Sequence, residues 1–348
     1  MPPEPAIQPD IGLIGGHSSG LKFWFIHGVN SYHYQVRAPM PYNFPHKDLL
    51  DIQRLSSADI TAILDLAERY AAQNRSPKKK TPILDGKTVV NLFFEPSTRT
   101  RTSFEIAAKR LGADVVNIPV EHSSVKKGET LLDTALNIDA MQVDALVIRH
   151  AESGVPHFVA PQLKASIINA GDGTNEHPTQ ALLDALTIRR HKNTLQGLVL
   201  VYSGDYIRSR VAGSFIQLMS KFGNTIRVVA PPDFLSDKFK NLGVETFTDM
   251  KEALRDADVV MTQRIQRERM DEGQFEMSLK DYHDQYGLSH DKLKIAKPNV
   301  IVMNPGPVLR DIEISSLLAD DPKFSVIREQ VENGVAVRMA VLDLLLKR

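Results

Sequence analysis

The sequence predicts an α/β protein of two doubly wound lobes, each a mainly parallel sheet flanked by helices. Three observations carry that expectation. Short apolar runs rich in Val and Ile, without strict alternation, read as strands buried on both faces. Segments of helical spacing separate them. Polar clusters with Gly and Pro follow the runs, where an open parallel sheet gathers its ligands. The first set of runs is Thr88–Phe94, Asp114–Ile118, Ala145–Ile148 and Ser166–Asn169; the second is Leu198–Tyr202, Ile226–Val229, Val259–Thr262 and Val300–Met303. Four strands per half, joined near Leu182–Arg190, divide the chain at about residues 46–182 and 183–324.

The elements follow in order. Residues 1–45 are rich in Pro, Gly, His and aromatics and lack periodicity, so they are expected to form a disordered or loosely docked extension. Ile11-Gly12-Leu13-Ile14-Gly15-Gly16 has no strand before it, which weakens a nucleotide-loop reading. Ser56-Ser57-Ala58-Asp59 leads into Ile60, Ile63, Leu64, Leu66 and Ala67, a capped amphipathic helix. After Thr88–Phe94, a second helix carries Phe104, Ala107, Ala108 and Leu111 on one face and stops at Gly112. The last helix, about Ser325 to Leu346, is expected to turn Val331, Val335, Met339 and Leu346 toward a core and to pack back on the first lobe.

Composition excludes several functions. Lys+Arg and Asp+Glu both number 42 in 348 residues, so there is no basic footprint of the kind nucleic acid demands, and any cationic site is local. The absence of cysteine removes disulfides, thiolate metal sites and thiol nucleophiles. No apolar run nears the roughly 20 residues of a membrane span.

The run Phe93-Phe94-Glu95-Pro96-Ser97-Thr98-Arg99-Thr100-Arg101 gathers hydroxyls, amides and two arginines at a helix start. It reads as an anion site, because free N–H groups, the helix dipole and Arg forks all favour phosphate there. A capped surface helix with solvated arginines is the alternative. Similar clusters stand at other strand ends: Arg149-His150; Gly171-Asp172-Gly173 through His177-Pro178-Thr179-Gln180; Ser203-Gly204-Asp205 with Arg208 and Arg210; Gln263-Arg264-Ile265-Gln266; and Asn304-Pro305-Gly306-Pro307. Together they describe a crevice of Arg, His and Gln without a carboxylate cluster, suited to two anions and unlike a Mg²⁺ phosphoryl-transfer site.

Ser97-Thr98-Arg99-Thr100-Arg101, His177-Pro178-Thr179-Gln180 and Asn304-Pro305-Gly306-Pro307 together resemble the carbamoyltransferase family from about Phe44 onward. Lys126-Lys127-Gly128-Glu129-Thr130, Gly171-Asp172-Gly173 and the run Arg264 to Arg269 are similar to its aspartate-using branch. That resemblance implies transfer of the carbamoyl group of carbamoyl phosphate to L-aspartate, giving N-carbamoyl-L-aspartate and phosphate early in pyrimidine synthesis, with no cofactor and no metal. It implies a carbamoyl phosphate-binding first lobe and an aspartate-binding second lobe. Ser97, Thr98, Arg99, Thr100 and Arg149 would hold the phosphate. Thr100, Arg149 and His177 would face the carbamoyl oxygen, as the catalytic group. Gln180, Gly306 and Pro307 would meet the carbamoyl end, and Arg210, Arg264 and Gln266 the aspartate. Ser123 and Lys127 would reach the site of a neighbouring subunit in a cytoplasmic homotrimer, where Lys127 would also meet the aspartate, and regulatory or dihydroorotase chains could join that assembly. Asn304, Arg208, Gly213 and Phe215 depart from the family pattern. The Ser-Met-Gly and His-Cys-Leu-Pro runs of an ornithine-type acceptor site are missing. A catalytically silent relative remains the other alternative.

Overall fold

A computed structural model describes residues 42–119, 129–270, 273 and 275–347. The elements are α1 (Ser57–Arg75), β1 (Thr88–Phe93), α2 (Thr98–Leu111), β2 (Asp114–Pro119), α3 (Leu131–Asp139), β3 (Ala145–His150), α4 (Val155–Val159), β4 (Ser166–Asp172) and α5 (Pro178–Lys192). They continue with β5 (Val199–Gly204), α6 (Arg210–Ser220), β6 (Thr225–Val229), β7 (Glu245–Phe247), α7 (Met250–Leu254), β8 (Val259–Gln263), α8 (Leu279–Tyr286), α9 (His290–Leu293), β9 (Ile301–Met303), α10 (Ser316–Asp320) and α11 (Ile327–Leu346).

Two sheets form, ordered β2-β1-β3-β4 and β7-β6-β5-β8-β9, with parallel pairs throughout. The eight expected strands are present. The second sheet has a fifth, β7, which the apolar pattern misses: Glu245 and Thr246 are exposed on an edge, so no burial wrote itself into the sequence. β3 and β4 also run further than their apolar stretches, to His150 and Asp172, across a register shift between Ile148 and His150.

Local rules account for the helices. Ser56 Oγ accepts from Asp59 N (3.1 Å) and Asp59 Oδ2 from Ser56 N (2.7 Å), a reciprocal cap that contributes about 1 kcal/mol. α2 buries Phe104, Ala107, Ala108 and Leu111 and ends at Gly112 in the left-handed region. α5 is buried continuously from Pro178 to Ile188, because α1, α6 and α11 surround it. α11 packs on α1, α2 and α5, and Tyr70 Oη donates to Asp343 Oδ2 at 2.6 Å. One large core joins these helices to the inner face of each sheet; smaller cores cover the outer faces.

Two expectations for the last helix need correction. It begins at Ile327, since Val326 N donates to Val302 O and Ser325 bridges to Val302, prolonging the sheet. Val331 is 53% exposed and faces the cleft described below rather than the core. Phe44, inside the expected extension, is buried in the large core and stacks edge-on with His46.

Candidate active site

In each sheet the strand order reverses beside one central strand: β1 lies between β2 and β3, and β5 between β6 and β8. Loops leaving such a reversal in opposite directions open a crevice at the carboxyl ends. The β1 and β3 ends deliver Ser97–Thr100 and Arg149, and the β5 and β8 ends deliver Arg210 and Gln263–Gln266. A cleft of about 420 Å³ is lined by every expected residue that lies in the described part of the chain: Ser97, Thr98, Arg99, Thr100, Arg149, His177, Gln180, Arg210, Arg264, Gln266, Gly306 and Pro307. Ser123 and Lys127 lie outside the described residues. Among the described residues, six guanidinium groups line the cleft and no carboxylate does.

On the first-lobe side, Ser97 is the N-cap of α2, yet its hydroxyl accepts no helix amide, and the first turn has no acidic residue. The hydroxyl, the first-turn amides and the positive end of the helix dipole therefore all remain available to an anion. Burial pulls the Arg99 guanidinium below its usual range, and Arg264 adds to this. Arg149 is pushed down to about 9, first by burial and then by Arg210, against the pull of Glu95. Its Nε stands 3.3 Å from Glu95 Oε2, and its Nη1 donates to Ala170 O at 3.4 Å. His177 caps α5 from a buried position, donating its backbone N–H to Ser214 Oγ (2.7 Å). Burial, then Arg149, Arg338 and Arg210, hold its ring well below the ordinary histidine range, so it stands neutral and offers an N–H rather than a proton.

On the opposite side, Arg210 and Arg264 are each held along one edge. Arg210, the first residue of α6, donates Nη2 to Glu95 Oε2 (2.6 Å) and lies across Gly171, where a Cβ would sit 3.0 Å from its Nε. Arg264 forks onto Glu268, with Nη1 to Oε2 at 2.9 Å and a shorter Nη2 to Oε1 contact. Gln266 donates its backbone N–H to Asp205 Oδ2 (3.3 Å), and its buried Nε2 has no hydrogen-bond partner among the described residues. A guanidinium carries five N–H donors, so each arginine keeps others for a ligand carboxylate.

Sequence reasoning missed several groups here. Glu95, Arg269 and Arg338 shape the charge: Arg269 donates to Arg208 O (2.7 Å), and Arg338, buried on α11, stacks over the Phe104 ring at 5.0 Å. Only the isolated Arg in an apolar helix could have pointed to Arg338. Asp184, on α5, accepts from Gln180 Nε2 (3.0 Å) and Gln330 Nε2 (2.7 Å). Asn304 gives Nδ2 to Thr262 Oγ1 (3.0 Å) and accepts from Gly306 N (2.7 Å), so it ties down the turn before Pro307. Arg208, Gly213 and Phe215, expected to depart from the family pattern, sit in well-packed surroundings. Arg208 stacks on Phe234 at 5.4 Å and pairs with Asp205, Phe215 packs on Tyr202, and Gly213 fits where a Cβ would meet Asn175 O at 3.0 Å. Among the described residues no cluster of three His, Asp or Glu is arranged to hold a metal ion.

Residues 47–190 match the family model described as aspartate/ornithine carbamoyltransferase, carbamoyl-P binding domain, and residues 196–345 match its Asp/Orn binding domain. The chain is 57% identical over 302 residues to the aspartate carbamoyltransferase catalytic subunit of Rhodospirillum centenum, covering 87% of this chain and 95% of that protein. It is 54% identical to the corresponding subunit of Ruegeria pomeroyi, covering 87% and 97%. Among solved structures it resembles aspartate transcarbamoylase from Trypanosoma cruzi in complex with carbamoyl phosphate and aspartate, with a TM-score of 0.79 and 31% identity over 86% of this chain and 96% of that one. Ornithine carbamoyltransferase from Thermus thermophilus is also similar, with a TM-score of 0.76 and 27% identity over 86% and 99%.

Proposed function

The chain belongs to the aspartate/ornithine carbamoyltransferase family, and from that premise we propose that it transfers the carbamoyl group of carbamoyl phosphate to the α-amine of L-aspartate, in pyrimidine biosynthesis. The single observation that carries this reading is the pairing, across one cleft, of a helix-start phosphate cradle with two edge-held arginines. The pair suits a phosphate on one side and a dicarboxylate on the other. A cationic acceptor such as ornithine meets six guanidinium groups and is disfavoured.

In the proposed mechanism the lobe of residues 46–182, completed by the helix within 325–348, holds carbamoyl phosphate, and residues 183–324 hold aspartate. Ser97, Thr98, Arg99, Thr100 and Arg149 bind the phosphate. Arg210, Arg264 and Gln266 hold the two aspartate carboxylates and aim the α-amine. The ammonium first releases one proton to solvent. The amine nitrogen then attacks the carbamoyl carbon, and the electron pair moves onto the carbamoyl oxygen. Thr100, Arg149 and the neutral His177 stabilise that oxyanion with preset donors. Gln180, with the Gly306–Pro307 turn, receives the carbamoyl NH₂. The pair returns, the carbon–phosphate oxygen bond breaks, and the departing phosphate takes the second amine proton. Ser123 and Lys127 complete the site of a neighbouring subunit in a cytoplasmic homotrimer. The reading is tested by incubating the purified chain with carbamoyl phosphate and L-aspartate: N-carbamoyl-L-aspartate and phosphate should form in equal amounts. A folded trimer that makes neither would refute it.

A further inference from the structure

Asp184 is fully buried on α5, one turn after Gln180, and both of its hydrogen bonds converge on a single oxygen. Oδ1 accepts from Gln180 Nε2 at 3.0 Å and from Gln330 Nε2 at 2.7 Å, while the buried Oδ2 has no partner among the described residues. A carboxylate only accepts. Its two neighbours must therefore turn their NH₂ groups inward, and their carbonyl oxygens face the other way. Gln330 Oε1 accordingly accepts from Asn304 N at 2.9 Å. Gln180, which lines the cleft, is left with Oε1 as its uncommitted atom among the described residues. Burial raises the Asp184 carboxyl to about 7, with the two glutamines and Arg338 opposing. A proton acquired there goes to the unpartnered Oδ2, so Oδ1 keeps its accepting role in either state.

We propose that Asp184 is a positioning residue that fixes the amide of Gln180 with its oxygen toward the cleft, so that the site selects an acyl phosphate bearing N–H over its methyl isostere. The inference rests on the reading of Gln180 as the partner of the carbamoyl nitrogen. Carbamoyl phosphate and acetyl phosphate share shape and charge and differ in NH₂ against CH₃. An acceptor held in place rewards the first, and an amide free to rotate discriminates less.

The test measures the KM of carbamoyl phosphate, the competitive inhibition constant of acetyl phosphate, and that of inorganic phosphate. The discrimination ratio is the acetyl phosphate inhibition constant divided by the carbamoyl phosphate KM. In Asp184→Ala it should fall about tenfold, the worth of one oriented hydrogen bond, while the inorganic phosphate constant stays within about threefold. Should Asp184→Ala not fold, Asp184→Ser, whose hydroxyl can donate or accept, should show the same fall. Asp184→Asn keeps an acceptor at Oδ1 and should hold the ratio within about threefold of the parent. A ratio held within about threefold in folded Asp184→Ala or Asp184→Ser, a ratio lost in Asp184→Asn, or an equal loss of phosphate affinity would each overturn the inference. An inactive parent chain would instead overturn the carbamoyltransferase reading.

Discussion

Arg99 lies against Gly306, at a place where a Cβ would come within 2.9 Å of the guanidinium carbon. Gly306 also has φ of 71°, in the left-handed region that side chains disfavour. The proposed phosphate cradle at the start of α2 is thus closed by a turn that follows β9 of the other sheet. Replacing Gly306 by Ala should lower stability by about 1–2 kcal/mol through backbone strain alone. It should also displace Arg99 and raise the KM for carbamoyl phosphate about tenfold or more, a loss of at least about 1.4 kcal/mol. Thermal melts and initial rates separate the two effects. An unchanged KM would mean that Arg99 does not need this contact.

Arg99→Ala should reduce kcat/KM by about a thousandfold or more, as removal of a charged group acting on the transition state does, with a melting temperature near that of the parent. Activity within a few-fold of the parent would remove Arg99 from the phosphate site.

Glu95 follows β1 yet holds Arg210 of α6, joining the two sides of the cleft. Glu95→Gln turns an accepting edge into one that is partly donating and faces two guanidinium groups. The KM for L-aspartate should rise about tenfold, in line with the loss of one charge-assisted hydrogen bond. That for carbamoyl phosphate should rise less, since Arg149 keeps its contact with Ala170 O. Equal effects on both substrates would contradict the assignment of Arg210 to the aspartate side.

Glu176, beside His177, is pushed up to about 7, mainly by burial. A carboxyl raised in the folded state favours folding most when it is protonated. That stability is fully present below the unfolded value and is lost as pH rises through about 7. Glu176→Gln should therefore be more stable than the parent at pH 8, by roughly 2 kcal/mol, and the gain should shrink toward pH 5. His177 works in the opposite direction: a ring held well below 6.5 makes the fold lose stability as pH falls below that value. Urea melts of both chains at pH 5, 6.5 and 8 give the comparison. A Glu176→Gln gain that does not grow with pH would contradict the raised carboxyl.

Chains with Lys127→Ala and chains with Arg99→Ala should each be nearly inactive alone. Mixed trimers should recover activity clearly above either parent, because some sites then combine an intact Arg99 with an intact Lys127 from the neighbour. No recovery in trimers shown to be mixed would count against a site shared between subunits.

Much of this arrangement was legible in the chain because it is written in local chemistry. Strands such as Leu200-Val201-Tyr202 are buried on both faces and so appear as unbroken apolar runs. The site residues cluster at strand ends because a reversal in strand order gathers them there. What stayed hidden depends on distant partners. Val331 has the spacing of a core residue, but the face it occupies opens on the cleft. β7 is too short and too exposed to leave a pattern. The parts of Glu95 and Asp184 exist only once β1 meets α6, and α5 meets α11.

The place of α11 has a consequence for how the molecule is made. This helix fills the groove among α1, α2 and α5, and it follows the whole second sheet in the chain. While the second sheet is still being translated, the faces of α1, α2 and α5 that α11 will cover stay open. The packing of the first lobe is therefore completed only after the second sheet has been made, and until then the half-made protein presents an uncovered apolar surface to chaperones.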